Sequence, residues 1–440
     1  MQNNLILLSD SYKYSHFNQY PEGTQQVYSY LESRGGEYEE IVFFGLQYFI
    51  QEYLQKHITP GMIEDAEAFA TQHGIPFNKK GWEDLYYTHA GYLPLRIEAV
   101  PEGSINKPHE VLMTITNTDI RFPWVTNWAE TLLMKLWYPT TVATKSYAVR
   151  KMLKKYYEET CDDVTGVEFA YHNFGDRGSS SVESAALGGM AHLTQFSGTD
   201  NFNAVAACKK YYGEAYGFSI PASEHSTVTS WGKDGEYKMI ENYLEKYKSS
   251  PIIACVLDSY DIYKAVDFVT SGAMKDKIES KDYPIFVIRP DSGDCIQVID
   301  KIIDIMEKNN VKYTINSKGY AVFDKYRIIW GDGITPKTID SILDYVTTTE
   351  EAPKYAASNF AFGSGGDLMQ NLNRDTCKFA IKCSAVKIGE KWQDVFKDPI
   401  TDAGKKSKKG LVTNPKLQLV YDNFPVGGYD KFKQVRERSR

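Results

Sequence analysis

From about residue 165 onward, short apolar runs recur, and each ends in a polar or glycine-rich turn. They are VEFAYHNFGDRG, YGFSIPASEHS, PIIACVLDSYD, PIFVIRPDSGD, RIIWGDG and FAFGSGGD. A run that is apolar throughout, with no polar alternation, predicts a strand buried on both faces. Between most of these runs lie stretches with helical spacing of apolar residues, such as DCIQVIDKIIDIMEKNN and PKTIDSILDYV. Strands alternating with helices predict a parallel sheet. About six such units over roughly 220 residues predict an irregular (β/α) barrel within an α/β fold. In a barrel, the residues just past each strand gather on one rim. Here those residues include Asp176, Arg177, His225, Asp258, Arg289, Asp291 and Asp332.

Before this region the pattern is mixed. VFFGLQYFIQEYLQKH and MIEDAEAFATQHG predict helices, whereas LPLRIEAVPEGS and HEVLMTITNT predict short strands. TNWAETLLMKLWYPTTVATKSYAVRKMLKKYYEE predicts long helical segments interrupted near Pro139. The expected organisation is an N-terminal α+β domain over 1–145 and a barrel over 146–384. A C-terminal segment over 385–440 is expected to pack back on the N-terminal domain and complete a companion α+β domain.

At 440 residues the chain is too long for one small core. A net charge of −7 argues against a nucleic-acid partner, which needs a basic face. Two basic runs, GKKSKKG at 404–410 and RERSR at the C-terminus, are expected as solvated surface. The 32 tyrosines are expected mainly in the core. The six cysteines show no CxxC pair and no metal-ligand spacing, so buried free thiols are expected. No apolar run approaches about 18 residues, and the opening MQNNLILLSDSYKYSH has no basic leader region. A cytoplasmic protein with no membrane partner is expected.

The turns carry the candidate chemistry. FGSGGD (362–367) has the glycine content that lets backbone N–H groups approach a phosphate, although such loops also serve only as turns. Asp367 within it would repel phosphate, so it is expected to point away. RPDSGD (289–294) sets a guanidinium and a carboxylate two residues apart, on the same side of an extended chain. One can grip a diphosphate while the other holds hydroxyls or a hydrated cation; a surface ion pair is the plainer reading. GDG (331–333) adds a carboxylate or is simply a turn. ASEHST (222–227) brings His225, and DSYD (258–261) supplies Asp258 at another strand end. A carboxylate on one ring nitrogen fixes the tautomer and leaves the other nitrogen as nucleophile or base. His172 sits close to the same site in sequence. In NFGDRG and GTD, Phe174 can stack on a flat ring, Arg177 can bind phosphate and Asp200 can accept hydrogen bonds.

In this order the motifs resemble the nicotinamide phosphoribosyltransferase family, which belongs to the type II phosphoribosyltransferases. The resemblance runs from DSYKYSH (10–16) through GWEDLYY, TNWAETLL, NFGDRGSSS, FSGTD, IPASEHSTVTSWGKD, DSYDIY, IRPDSG, GDG, FAFGSGG and VFKDP to KKSKKG. It spans about nine-tenths of the chain. It implies a (β/α) barrel with a companion domain, working as a homodimer with shared active sites. By position, Phe174 and the neighbouring subunit's copy of Tyr12 would sandwich a pyridine ring, and Asp200 would take the carboxamide N–H. Arg177, Arg289 and His225 would surround the diphosphate, and Asp291, Gly331, Asp332, Gly366 and Arg374 would hold the ribose phosphate. Arg34, Lys397 and Lys405 match basic residues brought to phosphates from the neighbouring subunit. His225 matches a histidine phosphorylated by ATP, and Asp258 its carboxylate partner. Vertebrate members carry Tyr in place of Asp176, Asp in place of Asn173 and Gly in place of Asp367.

The implied reaction joins nicotinamide to 5-phosphoribosyl 1-diphosphate, releasing diphosphate and nicotinamide mononucleotide in NAD salvage. Mg²⁺ would neutralise the leaving group and ATP would serve as co-substrate, with no set of metal ligands assigned. Two alternatives stand beside it. One is the same chemistry on nicotinate, which Asp200 disfavours because two apposed carboxylates repel. The other is a catalytically silent binding protein on the same fold, disfavoured by the joint presence of His225, Asp258, Arg289 and Asp291.

Overall fold

The computed structural model describes residues 4–349, 353–401 and 405–440. In chain order the first strands are β1 (Thr24–Ser33), β2 (Ile41–Val42), β3 (Leu95–Ala99), β4 (Ile105–Asn106) and β5 (Val111–Asn117). Then come β6 (Tyr171–Asn173), β7 (Ile252–Val256), β8 (Ile285–Arg289), β9 (Tyr313–Ile315), β10 (Ala321–Phe323), β11 (Tyr326–Trp330) and β12 (Phe360–Ser364). The last are β13 (Phe379–Ile388), β14 (Lys391–Asp394) and β15 (Gln418–Asp422).

The chain divides into two compact units. The first comprises the chain up to Thr144, Ala207–Glu214 and the chain from Leu372 onward; the second comprises Lys145–Ala206 and Ala215–Asn371.

The first unit is built on an antiparallel sheet with strand order β14-β13-β1-β5-β3-β15. β13 pairs with β1 from Thr24↔Ile388 to Ser33↔Phe379, and that ladder draws the chain from Leu372 into this unit. The division expected at 385 therefore falls at 372. Local pattern cannot reveal this, because the partner strand lies some 350 residues away in sequence. The helix Pro60–His73 starts where the Thr59 side chain caps the Met62 N–H and stops at Gly74, which is left-handed at φ 81°. Trp82 is buried edge-on against Trp124 and Trp128 at 4.6 and 5.5 Å. The interruption expected near Pro139 lies just before it, between helices Trp124–Met134 and Trp137–Thr160. Pro139 is in the first turn of the second helix, where a missing N–H costs nothing.

Residues 207–214 belong to the first unit through Tyr212, whose ring lies 5.5 Å from Phe44 and 5.6 Å from Phe432. Most described residues of the basic runs are exposed, as expected, but some are tied down. Lys408 pairs with the buried Glu32, Arg436 is 5% exposed, and Arg438 grips Asp430 with both terminal nitrogens at 2.6 and 2.8 Å. All six cysteines are free; four are buried and two half-buried, and burial pushes the Cys255 thiol up to about 12.

The second unit holds the parallel sheet, in the order β6-β12-β11-β8-β7. Single parallel bridges, Asn173–Thr199, Gly198–Phe218 and Ala222–Ala254, carry the ladder from β6 round to β7. The curled sheet is thus the irregular (β/α) barrel expected from the pattern, its irregular arc formed by the GTD and SIPASEHS segments. The amphipathic helices Cys295–Lys308 and Pro336–Thr348 bury Ile299, Ile302, Ile339 and Leu343, and each starts on a side-chain cap, from Asp294 and Thr335. Among the described residues, no helix is long and apolar enough to cross a membrane.

Glu102 is a buried carboxyl in the first unit. It accepts hydrogen bonds from the Gln47 N–H at 2.6 Å and the Tyr212 O–H at 2.6 Å. Burial pushes its pKa up to about 7 against those donors. An unfolded glutamate ionises near about 4.3, so Glu102 stabilises the fold fully below that pH. The contribution is lost as pH rises towards 7, where the folded group also ionises. Relative to Glu102→Gln, the wild type should lose about 2 kcal/mol between pH 5 and pH 8. Urea unfolding of both proteins at the two pH values checks this.

Candidate active site

The rim of the barrel is assembled from strand ends. β6 ends at Asn173, and the next residue donates its N–H to Ser364 at the end of β12, at 2.9 Å. That bond swings the Phe174 ring across Gly363. A β-carbon on Gly363 would lie 1.9 Å from the ring, so any side chain there would displace it. On Gly331 a β-carbon would meet Asp291 Oδ1 at 3.0 Å and the same ring at 3.4 Å. Gly331 was expected at the site but Gly363 was missed. Its signal was its place as the first glycine of FGSGG, read there only as part of a phosphate loop. The Arg289 guanidinium stands 5.2 Å from the centre of the Phe174 ring, within cation–π range.

His225 opens the short helix His225–Thr229, whose N-cap is Glu224. Its Nε2 lies 2.9 Å from Asp258 Oδ1. A carboxylate only accepts, so Nε2 carries the proton and the lone pair resides on Nδ1. The Asp258 side chain is only 6% exposed. Its other oxygen accepts the Asp291 N–H at 3.0 Å and the Ser292 hydroxyl at 2.7 Å. Asp291 and Arg289 both face the cleft, as alternate residues on an extended chain should, but their 3.6 Å separation is a loose contact. Burial raises the Asp291 pKa above the usual carboxylate value, and the nearby Asp258 and Asp332 add to the effect against Arg289 and His225.

Phe174, Asp200, His225, Arg289, Asp291 and Asp332 line one cleft of about 830 Å³, together with Asp176, Arg177 and Gly331. Asp200 Oδ1 accepts from His172 Nε2 at 2.9 Å and from Ser219 Oγ at 2.6 Å. Burial alone would raise the Asp200 pKa, but His172, Ser219 and Arg289 outweigh it and hold the group below its ordinary value. Gly365 lines the cleft, and Gly366 is the first residue of the turn of helix Gly366–Gln370. Asp367 turns towards Lys145, 2.7 Å away, and accepts from Asn371 at 2.8 Å. Lys145 was not anticipated; its one signal was its place directly after WYPTTVAT.

The remaining expected residues lie in the first unit. Tyr12, Arg34, Arg374, Lys397 and Lys405 line a separate cleft of about 780 Å³. Arg34 is held there by Glu32 at 2.9 Å. Arg374, expected at the ribose phosphate, lines this cleft with the basic residues. Lys378 and Lys382 line the same cleft and were missed, because nothing in their local sequence marks them. Among the described residues, no group of three or more His, Cys, Asp or Glu side chains is arranged to hold a metal ion.

Comparison with known proteins decides the family. The model of the nicotinate phosphoribosyltransferase (NAPRTase) family matches residues 169–427. The chain belongs to that family. Residues 4–97 match the nicotinamide phosphoribosyltransferase N-terminal domain. The chain is 46% identical over 413 residues to the nicotinamide phosphoribosyltransferase of Xanthomonas campestris pv. campestris (strain 8004), covering 93% of this chain and 87% of the relative. Two solved structures share the fold. Nicotinate-nucleotide pyrophosphorylase from Pyrococcus furiosus aligns at TM-score 0.59 and 15% identity, covering 100% of this chain and 95% of its own. Human nicotinic acid phosphoribosyltransferase aligns at 0.58 and 13%, covering 98% and 93%. The protein is accordingly a phosphoribosyltransferase enzyme of pyridine nucleotide biosynthesis.

Proposed function

We propose that this enzyme makes nicotinamide mononucleotide and diphosphate from nicotinamide and 5-phosphoribosyl 1-diphosphate, in NAD salvage. The observation that carries the reading is Asp200, a carboxylate facing the same cleft as the Phe174 ring. A carboxylate accepts from a carboxamide N–H and repels the carboxylate of nicotinate. The reaction breaks the C1–O bond to diphosphate while the pyridine nitrogen attacks C1. That nitrogen is already an uncharged nucleophile, so no strong base is required. Arg177 and Arg289 stabilise the departing charge, and Phe174 holds the ring in line. Asp291 and Asp332 hold the ribose end. Their hard oxygen donors also suit Mg²⁺ shared with a diphosphate, a mode in which one or two carboxylates suffice. Bound there, the cation supplies charge neutralisation to the leaving group.

His225 has a second task in this scheme. With Nε2 tied to Asp258, Nδ1 is free to attack the γ-phosphorus of ATP, releasing ADP and leaving a phosphohistidine. The separate basic cleft around Tyr12, Arg34, Lys397 and Lys405 supports a homodimer in which each subunit contributes these groups to its neighbour's site.

Product analysis with nicotinamide and nicotinate tests the reading directly, and turnover of nicotinate in preference to nicotinamide would overturn it. Asp200→Asn should lower the nicotinamide-to-nicotinate ratio of kcat/KM by roughly tenfold or more, since an amide can donate to a carboxylate. Incubation with Mg²⁺ and ATP should label the protein with an acid-labile, base-stable phosphate. His225→Ala should abolish the label while the protein stays folded; a labelled His225→Ala protein would refute the phosphohistidine. Mixing inactive Tyr12→Ala and Asp291→Ala chains should restore activity, because a mixed dimer contains one intact site. No recovery after proven subunit exchange would count against sharing.

A further inference from the structure

Asp200 lies between two flanking extended segments. The bridge Asn173–Thr199 places His172 on one side, and the bridge Gly198–Phe218 places Ser219 on the other. Both neighbours bind the same oxygen: His172 Nε2 at 2.9 Å and Ser219 Oγ at 2.6 Å, each to Oδ1. A carboxylate oxygen has two in-plane lone pairs, and these two donors take them. The plane of the carboxylate is therefore fixed. The His172 ring is itself constrained, since a β-carbon on Gly198 would lie 2.5 Å from its Nδ1 and the Phe174 ring centre is 5.1 Å away. Asp200 faces the polar cleft, whereas His172 and Ser219 also line a second, largely apolar cavity of about 550 Å³ with Phe169, Phe218 and Ile329. The donors thus approach Asp200 from outside the polar cleft.

We infer that His172 and Ser219 are positioning residues for base selection: by occupying Oδ1 of Asp200 they leave Oδ2 as its acceptor for a pyridine carboxamide. This rests on the nicotinamide reading above. Neither residue touches the reacting atoms. Loss of either donor lets the carboxylate rotate or take up water, which weakens recognition of the amide without changing bond cleavage. The effect should appear in KM for the base and in base preference, and leave kcat little altered.

The test is steady-state kinetics with both bases on wild type, Ser219→Ala, Ser219→Thr, His172→Phe and His172→Gln. Ser219→Ala and His172→Phe should raise KM for nicotinamide by about tenfold and lower the nicotinamide-to-nicotinate ratio by a similar factor. In both, kcat and KM for the phosphoribosyl donor should stay within about threefold of wild type. Ser219→Thr and His172→Gln, which keep a donor, should recover most of the preference. Wild-type preference in Ser219→Ala would overturn the inference, as would an equal loss of kcat for both bases. Ser219→Ala removes a single oxygen, so it decides the matter even if His172→Phe fails to fold. A wild-type enzyme that ignores nicotinamide would overturn the parent reading; an active wild type with unchanged variants would overturn this inference alone.

Discussion

Three chain segments meet on the carboxylate of Asp258. The imidazole of His225 binds one oxygen, while the Asp291 N–H and the Ser292 hydroxyl bind the other. The side chain is almost wholly buried, and charged hydrogen bonds of this kind contribute about 1.5–3 kcal/mol each. An unsatisfied carboxylate would not survive there, so the three donors are as necessary to Asp258 as it is to them. The pairing joins the end of β7 to the turn after β8 and orients the ring that opens helix His225–Thr229. Arg289, Asp291 and His225 take their places in the cleft from that junction.

Around it the site is shaped as much by missing side chains as by present ones. Phe174 can lie across β12 only because Gly363 has no β-carbon, and Asp291 stands beside the same ring only because Gly331 has none. The result is a flat aromatic surface with a guanidinium over it and carboxylates at its edge. The Arg289–Asp291 pair is a loose one. Arg289 and Asp291 are 3.6 Å apart, and burial, with Asp258 and Asp332 nearby, raises the Asp291 pKa above its ordinary value.

Charge in the first unit is handled differently. Glu32 is buried, yet it holds Arg34 on one side and Lys408 on the other. Other cations of GKKSKKG and RERSR form more exposed pairs, Lys406 with Asp398 and Arg438 with Asp430. Composition marks such runs as surface; for Lys408 it is a partner far along the chain, Glu32, that ties it down.

The barrel, the strand-end residues and the His225–Asp258 pairing were legible in the sequence. Apolar runs ending in polar turns encode them locally, and parallel strands necessarily end on one side. Asp367 was expected to turn away from the glycine loop, and its side chain pairs with Lys145. The boundary at 372 was not legible, because it follows from the pairing of β13 with β1. Gly363, Lys145, Lys378 and Lys382 also escaped: their roles lie in what they face, and side-chain surroundings are set by nonlocal packing. Ser219 lay unmarked in the sequence, and His172 was marked only by its nearness. Which oxygen of Asp200 they occupy depends on three segments brought side by side by single bridges, a geometry that exists only once the barrel has curled.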